Sequence, residues 1–230
     1  MGLIERQPRS LTRETVKKYS DKIFIIGVEG RKDEPEYLGS LNPVEYLDSF
    51  NMMQVNVISL APPDDKSAIE YIINELDEYR NKGKIFIDGR PAREISKNDE
   101  FWIMADVDRN LRNRKKLFLE KLQEAYDKKY NLAISNPCLE VWFILHFRDI
   151  KEDEFLKSAK EFKRLFGEEK NEVNKKCYGG REFYDYCMNH RLEEAIIRAE
   201  FIDSKNKEEL WPENGGTRIY RLLKEISSIA

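Results

Sequence analysis

Continuous apolar runs alternate with segments of helical periodicity up to about residue 148. The strongest runs are residues 23–28, 54–60 and 101–105, and a shorter one covers residues 132–134. Runs of this kind, rich in β-branched and aromatic residues, are typical of strands buried on both faces of a parallel sheet. The pattern predicts an α/β fold with an open, mainly parallel sheet and helices on both faces.

Helical patterns separate these runs. We expect helices over residues 33–50, 64–80, 110–127 and 138–147. Ser135, Asn136 and Pro137 are expected to open the last of them. Residues 83–98 are a polar insertion with a short strand at 85–87, and the chain beyond residue 149 is helical and heavily charged. The prediction is an α/β core over residues 1–148 and an α-helical part over residues 149–230 packed on it.

Composition and charge limit the classes of function. Of the 230 residues, 40% are hydrophobic and 36% are charged, yet the net charge is only -3. The chain can therefore build a core, and it is not a globally basic nucleic-acid coat, so nucleic acid must bind at a local patch. The 3 cysteines lack zinc-site or disulfide-framework spacing. Residues 1–20 lack the apolar core of a signal peptide, and we expect a cytoplasmic protein without a membrane partner.

Acidic residues follow two of the buried runs where each ends. Glu29 follows the first run, and Asp106 and Asp108 follow the run at 101–105. Ligands of open parallel sheets bind outside the carboxyl ends of the strands, so these carboxylates are expected to converge and to need a compensating cation. Oxygen ligands alone favour Mg²⁺, with Mn²⁺ as a substitute, and an extended Asp-x-Asp segment directs both side chains to one side. Taken singly, these motifs are also typical of helix caps and solvated turns.

Three segments resemble the RloB family, a Toprim-like group found beside restriction-modification and other phage-defence genes. They are IFIIGVEGRKDEPEY (23–37), IMADVD (103–108) and ISNPCLEVWFILHF (134–147), with a looser match at 214–223. The resemblance covers nearly the whole chain. It implies a fold related to the Toprim domains of topoisomerases, primases and overcoming-lysogenization-defect (OLD) nucleases.

The resemblance also implies Mg²⁺-dependent phosphodiester cleavage in phage defence, on DNA or on RNA such as tRNA. Glu29, Asp106 and Asp108 would then be catalytic and metal-binding, and Lys176, beside Lys175, would correspond to the catalytic lysine of OLD nucleases. The chain departs from its relatives at Asn110, where topoisomerases commonly have a third aspartate. It also departs at Asp33, where the first motif is expected to carry threonine.

Further candidates come from residues near these motifs. Glu34 and Glu140 are candidate metal ligands, although each also suits an acid in the first turn of a helix. His146 is either part of the site or a partly buried histidine at a helix end. The remaining candidates near the motifs are Gly30, Asn136 and Thr217.

A basic cluster follows Asp108 directly. We predict that it guides a nucleic-acid backbone to the metal site, the other interpretation being a solvated helix face. Its members are Arg109, Arg112, Arg114, Lys115 and Lys116. The sequence contains no Walker A motif, so any ATPase would have to be a partner protein. The sequence does not decide whether the chain forms an oligomer.

The sequence therefore indicates two alternative functions. The first is a metal-dependent nuclease, and the second is a non-catalytic Toprim module that binds nucleic acid or a partner protein in a defence system. A response-receiver domain is set aside, because receivers carry their acidic pair after the first strand. The choice between DNA and RNA, the number of metal ions and the activating trigger are open.

Overall fold

A computed structural model describes residues 19–30, 33–40, 54–60, 69–87, 90–174 and 180–227. The strands are β1 (Tyr19–Val28), β2 (Gln54–Leu60), β3 (Lys84–Ile87), β4 (Arg90–Glu94), β5 (Glu100–Asp106), β6 (Asn131–Asn136) and β7 (Gly216–Thr217). The helices are α1 (Asp33–Gly39), α2 (Ile69–Asn81), α3 (Val107–Asp127), α4 (Glu140–Leu145), α5 (Ala159–Asn174), α6 (Gly180–His190), α7 (Leu192–Asp203) and α8 (Ile219–Ser227), with a 3₁₀ helix at Glu152–Leu156.

The main sheet has the strand order β2-β1-β5-β6-β7. The first four strands are parallel, and β7 pairs antiparallel with β6. From β1 the chain passes to β2, toward one edge of the sheet, whereas from β5 it passes to β6, toward the opposite edge. The direction of winding therefore reverses between β1 and β5, and a reversal of this kind opens a crevice at the carboxyl ends of the two strands.

Two apolar clusters cover the two faces of the sheet. Phe24 and Ile26 of β1 pack with Trp142 of α4 and with the C-terminal helices, whereas Ile23 and Ile25 pack with α2 and α3. The alternation of neighbouring side chains between faces is the period of a strand, and it explains why β1 is apolar at every position from 23 to 28. The predicted α/β class with helices on both faces is confirmed.

The predicted elements match closely in the sheet and less well at helix starts. Strand β2 has the predicted bounds, and residues 84–87 pair with β4 as an antiparallel hairpin inside the predicted insertion. The predicted helices over 33–50 and 64–80 are described only in part, since residues 41–50 and 64–68 lie outside the described residues.

Three predictions about local structure are wrong. Helix α3 begins at Val107, not at residue 110, so Asp108 lies in a helical turn and not in an extended segment. Helix α4 covers Glu140–Leu145, and Asn136 does not cap it, because Asn136 ends β6 and donates its side-chain N–H to the carbonyl of Pro212 at 2.8 Å. The chain after residue 149 is not purely helical, since β7 joins the sheet.

The C-terminal helices share one core with the sheet. Phe162 of α5, Phe183 of α6 and Leu222 of α8 belong to the same buried cluster as Trp142. The boundary near residue 148 stays a prediction, and the packing shows that both sides of it depend on one apolar face. No helix in the described part of the chain is long and apolar enough to cross a membrane.

Candidate functional site

Glu29 and Asp106 meet at the carboxyl edge of the sheet. Glu29 follows the end of β1, and Asp106 is the last residue of the adjacent strand β5. The main-chain N–H of Asp106 donates to Oε2 of Glu29 at 3.0 Å, although 77 positions separate the two residues. Glu29 is only 4% exposed. The structure therefore brings two of the predicted acids together, at the point where the winding of the sheet reverses.

Asp106 does not serve as an ordinary helix cap. It precedes α3 with extended backbone angles (φ -100°, ψ 137°), yet its side chain makes no capping hydrogen bond. Its position in β5 matches that of Met104, whose side chain lies on the face covered by α4 and the C-terminal helices. The carboxylate is thus directed to that face of the sheet, and the capping interpretation of this aspartate is wrong.

Glu34 approaches the same place from α1. Its carboxylate lies against Gly30, so closely that a Cβ added to Gly30 would overlap it. The backbone of Gly30 does not adopt a positive φ, so its conformation does not require a glycine. The space that the Glu34 carboxylate occupies does require one. Gly30 therefore lets the Glu34 carboxylate return from the helix toward the segment that carries Glu29.

Glu140 is supplied by the first turn of α4. Its side chain is 15% exposed, and Oε1 lies 3.9 Å from Nζ of Lys163 on α5. Oε2 of Glu140 is buried and accepts no hydrogen bond from the described part of the chain. A buried carboxylate oxygen without a hydrogen bond is costly, so this atom favours an additional cationic or donor ligand.

The four acids act on one another electrostatically. The pKa of Asp106 is raised well above its ordinary value by burial first, and then by Glu29, Glu140 and Glu34, while Lys163 opposes the rise. We call Glu29, Glu34, Asp106 and Glu140 the acidic cluster. A bound divalent cation would remove much of the repulsion within it.

An aromatic contact fixes two of the elements that carry the cluster. The indole N–H of Trp142 on α4 donates to the hydroxyl oxygen of Tyr37 on α1 at 2.7 Å, and both residues are buried. Tyr37 also lies edge-on to Phe143. The helices that carry Glu34 and Glu140 are thus packed against each other, so their carboxylates are positioned by the core.

The donor set partly fits a hard divalent cation. The ligands are all carboxylates, which suits Mg²⁺ or Mn²⁺. Among the described side chains, however, no group of three or more acids, histidines or cysteines is placed to hold one ion. The side chain of Asp108 lies outside the described residues, so the predicted set of ligands is only partly visible.

A comparison with family models covers the segments that carry these acids. The family model for RloB-like proteins matches residues 24–226, which include every segment that forms the acidic cluster. The chain belongs to the RloB-like family. No curated protein and no solved structure matches the chain significantly. The relation to Toprim domains, which the resemblance implied, stays a prediction.

Two other predicted residues of this RloB-like chain are buried, one in the core and one in the sheet. His146 is fully buried, and its Nδ1 donates to the carbonyl of Trp142 at 3.0 Å, as expected for a histidine of the core. Burial lowers its pKa to about 4, so the ring is neutral at pH 7. Thr217 lies in β7, where its hydroxyl is 2.8 Å from that of Ser135. Ser135 pairs with Asp106 across the sheet, so this hydroxyl pair borders the acidic cluster.

The predicted basic residues are only partly described. Lys115 and Lys116 are exposed on α3, and Lys116 lies 3.7 Å from Glu120 one turn later. The side chains of Arg109, Arg112 and Arg114 lie outside the described residues, as do Lys175 and Lys176 entirely. The binding of a nucleic-acid backbone by the basic cluster and the role of Lys176 as a catalytic lysine therefore remain predictions.

Lys163 is the site residue that sequence reasoning missed. It lies within the segment Lys160-Glu161-Phe162-Lys163-Arg164, where alternating charges are typical of a solvated helix. Only the packing of α5 on α4 reveals its contact with Glu140. Cys138, by contrast, lies in the core, where burial first and then Glu140 and Asp106 raise the pKa of its thiol and disfavour the thiolate.

Proposed function

We propose that this RloB-like protein is a metal-dependent nuclease that cleaves phosphodiester bonds of DNA or RNA, tRNA included, in bacterial or archaeal phage defence. The observation that carries the proposal is the hydrogen-bonded approach of Glu29 to Asp106 at the carboxyl edge of the sheet. A buried aspartate whose pKa is raised by burial and by neighbouring carboxylates, as for Asp106, is typical of sites that bind a hard cation.

The residues of the acidic cluster would hold Mg²⁺ or Mn²⁺, with Asp108 as a further ligand. When bound, the ion would polarise a phosphoryl oxygen and lower the pKa of a coordinated water. Glu29 would hold a proton or a water molecule beside the reacting phosphate. In hydrolysis, the oxygen of a water molecule would bond to phosphorus while the bond from phosphorus to the leaving sugar oxygen breaks. Glu29 would accept the proton that the water loses, and solvent would supply a proton to the leaving sugar oxygen.

The basic cluster after Asp108 supports the same proposal. Lys115 and Lys116 follow the acidic cluster by about two to three turns on α3 and are exposed to solvent. Lysines in this position can neutralise the backbone phosphates of a bound strand without reading its sequence.

The decisive experiment is a cleavage assay with DNA, RNA and tRNA in Mg²⁺ or Mn²⁺. The natural chain is compared with Glu29→Gln and Asp106→Asn, which keep the size of each side chain and remove its charge. We expect both variants to lose at least 99% of the cleavage rate, which corresponds to an activation free energy higher by about 3 kcal/mol. Equal cleavage by all three proteins would exclude this assignment.

One observation favours the second candidate, a binding module without catalysis. The described side chains contain no complete group of three metal ligands. If the chain binds tRNA or DNA but neither binds Mn²⁺ nor cleaves, the non-catalytic function is the correct one. Titration with Mn²⁺ separates the two candidates before any substrate is known.

A further inference from the structure

Lys163 reaches the acidic cluster from a helix that does not otherwise supply a candidate residue. Its Nζ lies 3.9 Å from Oε1 of Glu140, and its side chain is 48% exposed. Glu140 is much more buried, at 15% side-chain exposure. The pair therefore joins an inner carboxylate to an ammonium group that still faces solvent.

The pair is long for a hydrogen-bonded ion pair. A distance of 3.9 Å places Lys163 at the outer limit of such contacts, where the attraction is Coulombic and the lysine keeps its freedom to move. The other oxygen of Glu140 accepts no hydrogen bond within the described part of the chain. Glu140 is thus incompletely satisfied by Lys163, and a second cation can still approach it.

The charge of Lys163 also acts on Asp106. It opposes the upward shift of the Asp106 pKa that Glu29, Glu140 and Glu34 produce. Lys163 consequently offsets part of the repulsion that a divalent ion would offset more completely. A monovalent ammonium and a divalent ion near the same carboxylates repel each other, so both cannot be strongly bound there at once.

We infer that Lys163 is an exchangeable counter-ion of the acidic cluster, which leaves Glu140 when a divalent ion binds and then contacts a phosphate of the nucleic acid. The inference rests on the proposed function and adds to it a positioning residue for the phosphate. The four-carbon stem and the exposed end of Lys163 allow the ammonium to move while α5 stays in place. Arginine at this position would keep the charge, and methionine would keep most of the stem.

The test uses the full chain and two ligands. Mn²⁺ alone is titrated by calorimetry, and binding of a labelled tRNA and a duplex DNA is measured in Ca²⁺, which limits cleavage. For Lys163→Met we expect Mn²⁺ to bind roughly fivefold more tightly, because the competing charge is gone. We expect nucleic acid to bind several-fold more weakly. Lys163→Arg should resemble the natural chain in both measurements.

Lys160→Met is the matched control, because Lys160 is an exposed lysine one turn earlier on the same helix. A structural defect would weaken both ligands, whereas the exchange predicts opposite signs. The inference is overturned if Lys163→Met resembles Lys160→Met, or if Mn²⁺ binds Lys163→Met more weakly. The proposed function fails separately, if Asp106→Asn binds Mn²⁺ as tightly as the natural chain.

Discussion

Glu29 accepts a hydrogen bond at 3.0 Å from the main-chain N–H of Asp106. This bond joins the chain just after β1 to the end of β5, and it holds one carboxylate beside the backbone that carries the other. The contact also places the first helical turn of α3 next to the acidic cluster. The position of Asp108 and of the basic residues that follow it is therefore linked to the position of Glu29.

We expect Asp106→Asn to stabilise the chain in the absence of divalent ions. The carboxylate is repelled by Glu29, Glu140 and Glu34, and a neutral amide of the same size removes that repulsion. The free energy of unfolding should rise by about 1 kcal/mol. Thermal melting with and without Mn²⁺ checks this, since only the natural chain should gain stability from the ion. A lower melting temperature for Asp106→Asn without metal would contradict the prediction.

Gly30→Ala should disturb the site while leaving the core intact. The added Cβ would overlap the Glu34 carboxylate and move it away from the segment of Glu29. We expect weaker Mn²⁺ binding, by about fivefold, measured by calorimetry. Gly39→Ala is the control, because a Cβ there meets no atom within 4 Å. That control should keep Mn²⁺ binding and gain up to about 1 kcal/mol of stability from a better helix former.

His146 should make the chain less stable as the solution becomes acidic. Its pKa is about 4 in the folded chain against an ordinary value of 6.5, so below pH 6.5 the unfolded chain takes up a proton that the folded chain refuses. This contribution to stability is fully present above pH 6.5 and is lost as the pH falls toward 4. Between pH 7 and pH 5 the loss is about 2 kcal/mol.

Urea denaturation at both pH values measures the effect. In His146→Leu the difference between pH 7 and pH 5 should be smaller by that amount, whatever the variant costs in absolute stability. His190→Leu removes the second of the 2 histidines, which is exposed at the end of α6, and should leave the difference unchanged. An unchanged pH dependence in His146→Leu would show that the histidine is not the titrating group.

The hydroxyl pair of Ser135 and Thr217 should contribute to the attachment of β7 to the sheet. Both residues are buried, and their oxygens are 2.8 Å apart. Ser135→Ala and Thr217→Val should each cost about 1–2 kcal/mol, because each leaves the other hydroxyl without this partner. The double variant should cost less than the two single costs added together, by about 1 kcal/mol. Additive costs would mean that the two hydroxyls are not coupled.

Lys115 and Lys116 should change the salt dependence of nucleic-acid binding. Replacing both with glutamine should lower the slope of log affinity against log salt by about 2, if each lysine contacts one phosphate. Fluorescence anisotropy of a labelled tRNA and a duplex DNA between low and high salt measures the slope. Lys205→Gln, an exposed lysine beyond the end of α7, is the control and should leave the slope unchanged.

The sequence by itself determined the sheet and the presence of acids at the ends of two of its strands. The uninterrupted apolar runs at 23–28 and 101–105 predict strands that are buried on both faces of a parallel sheet, and the structure shows that these two strands are neighbours. Glu29 and Asp106 follow from those runs, because a carboxylate at the end of a buried strand must lie at an edge. The family resemblance was also visible in linear motifs, and the match over residues 24–226 agrees with it.

Only the tertiary structure decided which residues from distant helices join that edge. Lys163 lies among alternating charges, and nothing in its neighbourhood along the chain distinguishes it from Lys160. Its contact with Glu140 depends on how α5 packs on α4, which is set by side-chain packing over the whole core. The start of α3 at Val107, three residues before the predicted start, likewise became visible only in the structure, where the main-chain N–H of Asp106 donates to Glu29 at the end of β5.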